Sequence, residues 1–372
     1  MDTSDENIFF DENGVCNHCF EYQVNKNSIL KHGIDGQKEL AAIIEKARQN
    51  GNGRPYDCII GLSGGVDSSY VAYKIVKLGL RPLAVHFDSG WNSEKAVHNI
   101  ENIVKKLNID LFTYVCDWKE MQDLQLSYFK AGVINADIPM DHSFMVVLHR
   151  IAKKHNIKYF FSGHNFETEG ILPKSWVYKS TDSTNLKAIQ KRFGKVRLSN
   201  FPTESIITNL YTRAIYGLKV INILNFEKYD KTIAMDLIQK ELGWQYYGGK
   251  HYESIFTRFY QGYYLPRRFS VDKRRAHLST LINSNQISRE NALNEITLPT
   301  YPDSDLLNED LEFVPKKLGI STVEFNDILN QPVAKHTDYQ NDNWIDTEPS
   351  IQYTIPLASS GGVHRIGGTP YL

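Results

Sequence analysis

The sequence predicts an α/β fold built on a doubly wound parallel sheet. Strand and helix patterns alternate from residue 57 onward in the order βαβαβ, with short connections between them. The chain has 372 residues, of which 41% are hydrophobic, so it can bury a substantial core. These observations indicate a folded protein in which helices cover both faces of the sheet.

Each element follows from its local pattern. The stretch DCIIGL is the first strand, and VDSSYVAYKIVKLG is the helix that follows it. RPLAVHFD, IDLFTYVCD, IKYFFSG and LKVINIL are the later strands, and SEKAVHNIENIVKKLN and HSFMVVLHRIAKKHN are the helices between them. KYDKTIAMDLIQKELG is predicted to be a helix that ends at Gly243. The irregular stretch 171–213 interrupts this alternation, and we expect it to act as a lid over the site.

Composition divides the chain into four regions. Residues 1–50 form an N-terminal segment with a C-x-x-C pair, and residues 51–245 form the sheet domain. Residues 246–335 begin with the most basic stretch, Lys250 to Arg275, where seven Lys or Arg face two acids, and continue as helices around 303–330. Residues 336–372 are expected to be a loosely ordered tail, because Asn, Asp, Gly and Ser dominate there.

Overall charge and hydropathy exclude several classes of protein. The formal charge of -1 gives no whole-chain field for a polyanion, so no nucleic-acid partner is expected. The apolar runs are far shorter than a membrane span, and the acidic N-terminus lacks the features of a secretory signal. Four cysteines make a disulfide framework improbable. We therefore expect a cytoplasmic protein without a membrane segment.

The stretch IIGLSGGVDSS predicts a phosphate-binding turn. It lies at the carboxyl end of the first strand, where a parallel sheet presents its ligand crevice. Gly64 and Gly65 let the backbone approach a ligand, and the following helix offers unpaired N–H groups to an anion. No lysine follows the glycines and the spacing is not G-x-G-x-x-G, so neither a Walker A loop nor a dinucleotide fingerprint fits. The alternative is an ordinary strand-to-helix turn, capped by Ser63 or Asp67, that binds no ligand.

SGGVDSS resembles, residue for residue, the loop of the PP-loop ATP pyrophosphatases, whose fold is adenine nucleotide alpha hydrolase-like. Enzymes of that group split ATP between the α and β phosphates and leave AMP on a carbonyl oxygen. The resemblance implies that Asp67 binds Mg²⁺ and that the other loop residues hold the departing pyrophosphate. Those pyrophosphate-binding residues are Ser63, Gly64, Gly65, Ser68 and Ser69.

Two further strand ends border the same predicted crevice. The second strand ends in AVHFDSGW, so His86 and Asp88 are candidates for contacts with adenine or ribose, or else are a core histidine and a loop aspartate. The fourth strand ends in FSGHNFETEG, which places Gly163 and His164 near ATP. Glu167 or Glu169 is expected to share Mg²⁺ with Asp67, although a capped helix with first-turn acids has the same pattern.

Cys16 and Cys19, in GVCNHC, have the spacing of one edge of a tetrahedral zinc site. Cys58 and Cys116 lie in predicted buried strands, so His18 and His32 are the candidates to complete the site. Two free thiols are the alternative. We expect a small zinc-ribbon-like segment at the N-terminus.

Three stretches together resemble the N-acetyl sugar amidotransferases: GVCNHC, YDCIIGLSGGVDSSYVAYK and GGKHYESIFTRFYQGYYLPRRFSVDKRRAHLS. The resemblance covers roughly residues 1–290, and in that family a second C-x-x-C is expected just upstream of MDTSD. Such enzymes use ATP and ammonia to convert a sugar's acetamido group into an acetamidino group, in bacterial surface polysaccharide (lipopolysaccharide O-antigen) and sialic-acid-like (pseudaminic or legionaminic acid) sugar pathways.

The resemblance also implies a partner and contact residues. Because no cysteine follows Cys116, ammonia is expected from a separate glutaminase and synthase pair. Lys250 joins Ser63 and Asp67 as a catalytic candidate. The candidates for contacts with the N-acetylated sugar or AMP are His251, Glu253, Thr257, Arg258, Gln261, Lys273 and Arg274.

Two other functions compete with this interpretation. A tRNA-modifying sulfurtransferase uses the same ATP chemistry, and the mixture of cations and aromatics in the basic stretch is compatible with RNA. The absence of a cysteine after Cys116 argues against it. The same stretch is equally compatible with a sugar diphosphate or carboxylate, or with a solvated helix face. A non-catalytic ATP-sensing module is disfavoured by the intact Asp67 and loop serines.

Overall fold

A computed structural model describes residues 1–301 and 303–343 of the chain. Its centre is a five-stranded parallel sheet in the order β3-β2-β1-β4-β5, which confirms the predicted doubly wound α/β fold. The strands are short and stand where the sequence patterns place them. Their bounds are β1 Cys58–Gly61, β2 Pro82–Asp88, β3 Asp110–Val115, β4 Tyr159–Ser162 and β5 Lys219–Asn222.

Sixteen α-helices surround or follow this sheet within the described residues. Gly243 ends the tenth in the left-handed conformation, as the sequence predicts. A π-helical turn, Tyr260–Tyr264, connects α11 to α12. The helices are α1 Asn17–Ile29, α2 Gly33–Asn50, α3 Val66–Lys77, α4 Glu94–Leu107, α5 Trp118–Ala131, α6 Ile138–Lys154, α7 Phe166–Glu169, α8 Ser183–Phe193, α9 Ile206–Ala214, α10 Lys231–Leu242, α11 Ile255–Phe259, α12 Leu265–Phe269, α13 Arg274–Asn283, α14 Arg289–Thr297, α15 Ser304–Lys317 and α16 Thr322–Asn330.

The central strands are buried on both faces. Along β1, Ile59 packs into one hydrophobic core while Cys58 and Ile60 pack into the other, because successive side chains of a strand point to opposite sides. The chain leaves β1 toward β2 in one direction and later returns beside it as β4. The loops after β1 and β4 therefore diverge at a topological switch point, where a doubly wound sheet opens its ligand crevice.

The stretch 171–213 is not a lid over the phosphate-binding turn. Its helix α8 packs against α5 and α6, on the flank of the sheet domain. The carboxylate of Glu120, in α5, accepts hydrogen bonds from the backbone N–H groups of Ser199, Asn200 and Phe201. These bonds fix the irregular backbone where the sequence suggested a mobile cover.

The C-terminal region is helical, with α15 and α16 where helices were expected around 303–330. Beyond them, His336 is 4% exposed and its ring stacks on Tyr178 at 4.3 Å between centroids. The first residues of the predicted tail, 336–343, therefore pack on the domain instead of forming a loose end. The remainder of that predicted tail, 344–372, lies outside the described residues.

The helices of the described ranges 1–301 and 303–343 include none with the length and apolar character that a membrane span requires.

Candidate active site

The phosphate-binding turn lies between β1 and α3, and hydrogen bonds of its own serine hydroxyl groups hold its conformation. The Ser63 Oγ accepts the Gly65 N–H at 3.3 Å and lies 3.1 Å from the Ser68 Oγ. The Ser69 hydroxyl is buried and donates to the Gly65 carbonyl at 2.6 Å. No side chain caps the N-terminus of α3, so the helix presents its first N–H groups toward the crevice. Ser63, Gly65 and Ser68 therefore lie together at the start of α3, whereas Ser69, predicted to contact pyrophosphate, is corrected to a group buried within the turn.

Gly64 shapes this turn for two reasons. Its backbone is left-handed, with φ of +80°, and it packs closely against a neighbouring helix. A Cβ atom here would lie 2.5 Å from the carbonyl oxygen of Ala96 in α4. On its other side, the Gly64 carbonyl accepts hydrogen bonds from the side chains of Trp244, at 2.9 Å, and Asn99, at 3.4 Å. The loop is thus clamped between α4 and the segment after α10.

Gly64→Ala is expected to weaken binding of inorganic pyrophosphate about tenfold, because the loop must shift away from Ala96 and its amides lose alignment with the anion. Gly217→Ala is the matched control, since Gly217 has a similar φ of +77° but no atom within 4 Å of a Cβ. Both variants should lose about 1–2 kcal/mol of folding stability to backbone strain. Titration calorimetry of both variants checks this; equal pyrophosphate affinities would refute the role of the Ala96 contact.

Asp67, in the first turn of α3, is held by a tyrosine that no sequence motif indicated. The Tyr229 hydroxyl donates a hydrogen bond to Asp67 Oδ1. The backbone N–H of the same Tyr229 donates to the carboxylate of Glu167, so the two carboxylates bind opposite ends of one residue. Burial raises the pKa of Glu167 to about 7. The sharing of Mg²⁺ by Asp67 with Glu167 or Glu169 stays a prediction, and the structure adds that Tyr229 bridges Asp67 and Glu167.

The loop after β4 lies against the start of α3, as its predicted role requires. A Cβ at Gly163 would be 3.2 Å from the Ser68 nitrogen and from the Asp67 Cβ. His164 Nδ1 is 2.8 Å from Glu169 Oε2, and its Nε2 is buried without a hydrogen-bond partner in the described chain. Because Gly163 has no side chain, the loop after β4 approaches the start of α3 closely enough for both to border one crevice.

Glu169 also contacts the C-terminal region. Lys250 Nζ lies 3.4 Å from Glu169 Oε1 and 3.2 Å from His277 Nδ1. Burial alone would raise the pKa of Glu169, but Lys250 and His164 lower it well below its usual value. Burial and the Lys250 charge lower the pKa of His277 to about 3, so this ring is neutral. Lys250 thus lies beside the loop after β4, with partners on α7 and α13, and its catalytic role stays a prediction.

His86 and Asp88, near the end of β2, make hydrogen bonds within the protein. His86 is 7% exposed, with its Nδ1 2.9 Å from the Leu62 carbonyl and its Nε2 3.1 Å from the Asn92 side chain. Burial lowers its pKa, so it is a neutral ring with both nitrogens engaged. Asp88 Oδ1 accepts from the Gly90 N–H and the Asn92 amide. The predicted contact of His86 with the nucleotide is replaced by a role in holding Leu62 and Asn92.

Several predicted substrate contacts are instead internal ion pairs. Arg258 binds the buried Asp310 through two hydrogen bonds of 2.7 and 2.8 Å. Arg274 binds Asp272 in the same bidentate way and also donates to the carbonyls of residues 295, 298 and 299. Gln261 is half-buried on the π-helical turn. Arg258 and Arg274 are therefore removed from the predicted substrate contacts, because their guanidinium groups are already occupied.

A second group of charges lies around the start of α6, and the sequence analysis missed its acidic members. Asp137 occupies the N-cap position of α6 without a capping hydrogen bond from its side chain, and Asp141 stands one turn later. Burial and the Asp141 charge raise the pKa of Asp137, whose Oδ1 lies 3.4 Å from the Thr257 hydroxyl. Lys273 lies near both carboxylates, and burial lowers its pKa although they oppose this. The only available signal was the helix start DIPMD, which resembles an ordinary cap.

Cys16 and Cys19 lie at the start of α1, with their sulfur atoms 3.4 Å apart. His18 Nε2 is 2.5 Å from Asp5, and His32 faces Glu167, so neither histidine joins the cysteine pair. Nowhere in the described ranges do three or more His, Cys, Asp or Glu side chains form a group able to hold a metal ion. The predicted zinc site of Cys16 and Cys19 therefore finds no support.

Comparison with known proteins finds matches to two separate regions of the chain. A family model described as "NAD synthase" matches residues 38–167, and one described as "LPS biosynthesis protein WbpG-like, C-terminal domain" matches residues 253–351. The first region contains the phosphate-binding turn, and the second begins at Glu253. No curated protein matches the chain.

The solved structures that match this chain include two with 14% sequence identity to it, each with a TM-score of 0.29. An NMN synthetase from Francisella tularensis matches over 59% of this chain and 100% of its own. An NH3-dependent NAD synthetase from Campylobacter jejuni, in complex with nitrate, matches over 56% and 94%. The two family models confirm the resemblance found in the sequence: the chain joins an NAD-synthase-like PP-loop domain to a WbpG-like C-terminal domain, as expected for an N-acetyl sugar amidotransferase of the PP-loop superfamily.

Proposed function

We propose that this protein is an ATP-dependent amidotransferase that converts the acetamido group of an N-acetylated sugar into an acetamidino group. The observation that carries the proposal is the contact between the two matched regions at the phosphate-binding turn. Glu253, the first residue of the WbpG-like region, packs on Gly65 of the NAD-synthase-like region. Just outside both regions, Lys250 reaches Glu169. A sugar bound by the C-terminal region would thus lie next to ATP.

The reaction has two steps that balance without a further reactant. The acetamido oxygen attacks the α phosphorus of ATP, pyrophosphate leaves, and the amide nitrogen loses its proton, which gives an adenylated imidate. Ammonia then adds to the imidate carbon and AMP departs with its oxygen, so that a C–N bond replaces the C–O bond. The first step is needed because an amide oxygen is a poor leaving group until it carries AMP.

The loop supplies the first step. The N–H groups at the start of α3, with the Ser63 and Ser68 hydroxyls, are positioned to stabilise the departing pyrophosphate. Asp67 is the residue that would hold Mg²⁺, whose charge would be shared by the phosphate oxygens. The buried, unpartnered Glu253 Oε2 nearby fits the presence of a cation at this place.

The C-terminal region supplies the environment of the second step. Ammonium is not nucleophilic, so the amine must reach the imidate carbon unprotonated, and a crevice shielded from water favours this. We propose that ammonia comes from a separate glutaminase and synthase pair. We assign the contacts with the sugar to polar groups of the C-terminal region, foremost Thr257 and Lys273, which lie beside the carboxylates at the start of α6.

Charge distribution supports a sugar over an RNA substrate. Three arginines that make the stretch 250–275 basic in sequence, Arg258, Arg268 and Arg274, are bound to Asp310, to backbone carbonyls and to Asp272. Few of its cations remain to neutralise the phosphates of a bound RNA strand, which would demand several free Lys or Arg side chains.

We expect AMP and pyrophosphate release from ATP to depend on an N-acetylated sugar, with ammonium chloride at raised pH as the nitrogen source. A panel of free and nucleotide-linked N-acetyl sugars should be compared with the same sugars lacking the acetyl group, and with bulk tRNA. Only the acetylated sugars are expected to stimulate turnover, because the acetamido oxygen is the nucleophile. Turnover that responds to tRNA alone would exclude the sugar amidotransferase.

A further inference from the structure

Glu253 stands directly over the phosphate-binding turn, although it belongs to the C-terminal region. A Cβ at Gly65 would lie 3.2 Å from Glu253 Oε1, so the carboxylate packs against the backbone of the loop. Its main chain is fixed on both sides: the Ser93 N–H donates to the Glu253 carbonyl, and the Ile255 N–H donates to the Trp91 carbonyl, both at 2.9 Å. The segment after β2 therefore holds the backbone of Glu253 beside the loop.

The carboxylate of Glu253 is incompletely satisfied. Its Oε2 is fully buried and has no hydrogen-bond partner within residues 1–301 and 303–343. Its other oxygen, Oε1, lies 3.6 Å from His251 Nδ1. A buried carboxylate oxygen without a donor is costly inside a protein, so such an atom calls for a missing partner.

A second carboxylate, that of Asp67, lies two residues beyond Gly65, in the first turn of α3. Glu253 packs on Gly65 itself, so both acids flank the start of this helix. Pyrophosphate bound at the start of α3 would face these two negative groups. A cation between them removes the repulsion, and Mg²⁺ in phosphate sites commonly takes one or two carboxylates together with phosphate oxygens.

We infer that Glu253 is a protein ligand of the Mg²⁺ ion that accompanies pyrophosphate at this loop, so that the C-terminal region completes the metal site of the ATP domain. The inference rests on the proposed function only for the presence of ATP and Mg²⁺. A role as a metal ligand explains both the unpartnered Oε2 and the position of Glu253 beside the loop. It also makes ATP binding depend on correct docking of the segment that carries Lys250 and Thr257.

The experiment measures metal binding without any sugar. Mn²⁺ replaces Mg²⁺ as the probe, and its affinity for the full-length protein is measured by electron paramagnetic resonance with inorganic pyrophosphate present. We expect Glu253→Gln to weaken Mn²⁺ binding roughly tenfold or more, because it removes a charged ligand but keeps the shape and the hydrogen-bonding capacity. Metal-free pyrophosphate should bind this variant equally well or more tightly, since a negative charge has been removed.

Glu312→Gln is the matched control, because Glu312 is exposed on α15, and its Mn²⁺ affinity should equal that of the wild type. Unfolding midpoints of all three proteins establish that they are folded. If Glu253→Gln binds Mn²⁺ with pyrophosphate as tightly as the wild type, or more tightly, the inference is overturned and Glu253 is a group that phosphate displaces. Since no sugar is used, a failure of the proposed sugar reaction would leave this result unchanged and separately readable.

Discussion

Arg258→Leu is expected to lower the free energy of unfolding by about 3–5 kcal/mol, which makes it the most destabilising single substitution we foresee. The guanidinium and the Asp310 carboxylate are both largely buried, with side chains 11% and 4% exposed. Without Arg258, the carboxylate retains only the hydroxyl of Tyr301 as a donor among residues 1–301 and 303–343. Removing one partner of a buried pair leaves an uncompensated charge, which costs far more than the pair contributes. Urea denaturation measures the loss.

Two further variants separate folding from function at this pair. Arg267→Leu is the control, because Arg267 is exposed two turns later, and its stability should change by less than about 0.5 kcal/mol. The double variant Arg258→Leu with Asp310→Leu should recover most of the stability, since an apolar pair replaces an ionic one. If the double variant is stable but fails to use the sugar, Arg258 contacts the substrate after all, against the ion pair seen in the structure.

This ion pair shows where sequence analysis of the site reached its limit. The loop from Ser63 to Ser69 could be predicted because its residues are contiguous and lie at a strand-to-helix junction, so local pattern and function coincide. Arg258 looked like a substrate contact because its partner Asp310 is distant in sequence. A cation without a nearby acid in the sequence appears free until the fold supplies its partner.

The same reasoning explains the residues that were missed. Tyr229 stands in a stretch with no recognisable motif, and only the packing of α10 against α3 brings its hydroxyl to Asp67. Glu253 was selected, but as a sugar contact, because nothing local indicates that a C-terminal residue faces Gly65. For the fold, by contrast, the alternation of strands and helices was sufficient, since each element is encoded by its own periodicity.

Asp67→Asn is expected to reduce kcat/KM for sugar-dependent pyrophosphate release by roughly 10³-fold, while the protein stays folded. The asparagine oxygen can still accept the Tyr229 hydroxyl, so the packing around α3 is retained. What disappears is the negative charge that would hold Mg²⁺ against the phosphates, and such metal assistance supplies several kcal/mol in phosphoryl transfer. Initial rates at varied Mg²⁺ measure the loss, and the half-saturating Mg²⁺ concentration should rise.

The magnesium dependence decides what Asp67 does, because an acid can matter at this position in two ways. If Asp67 only orients Tyr229, then Tyr229→Phe should be as damaging as Asp67→Asn and neither should respond to added Mg²⁺. If Asp67 is a metal ligand, Tyr229→Phe should be the milder change and Asp67→Asn should recover part of its rate at high Mg²⁺. Asp236→Asn, on the exposed face of α10, should behave as the wild type in both respects. Asp67→Asn with more than a tenth of the wild-type rate would remove Asp67 from the mechanism.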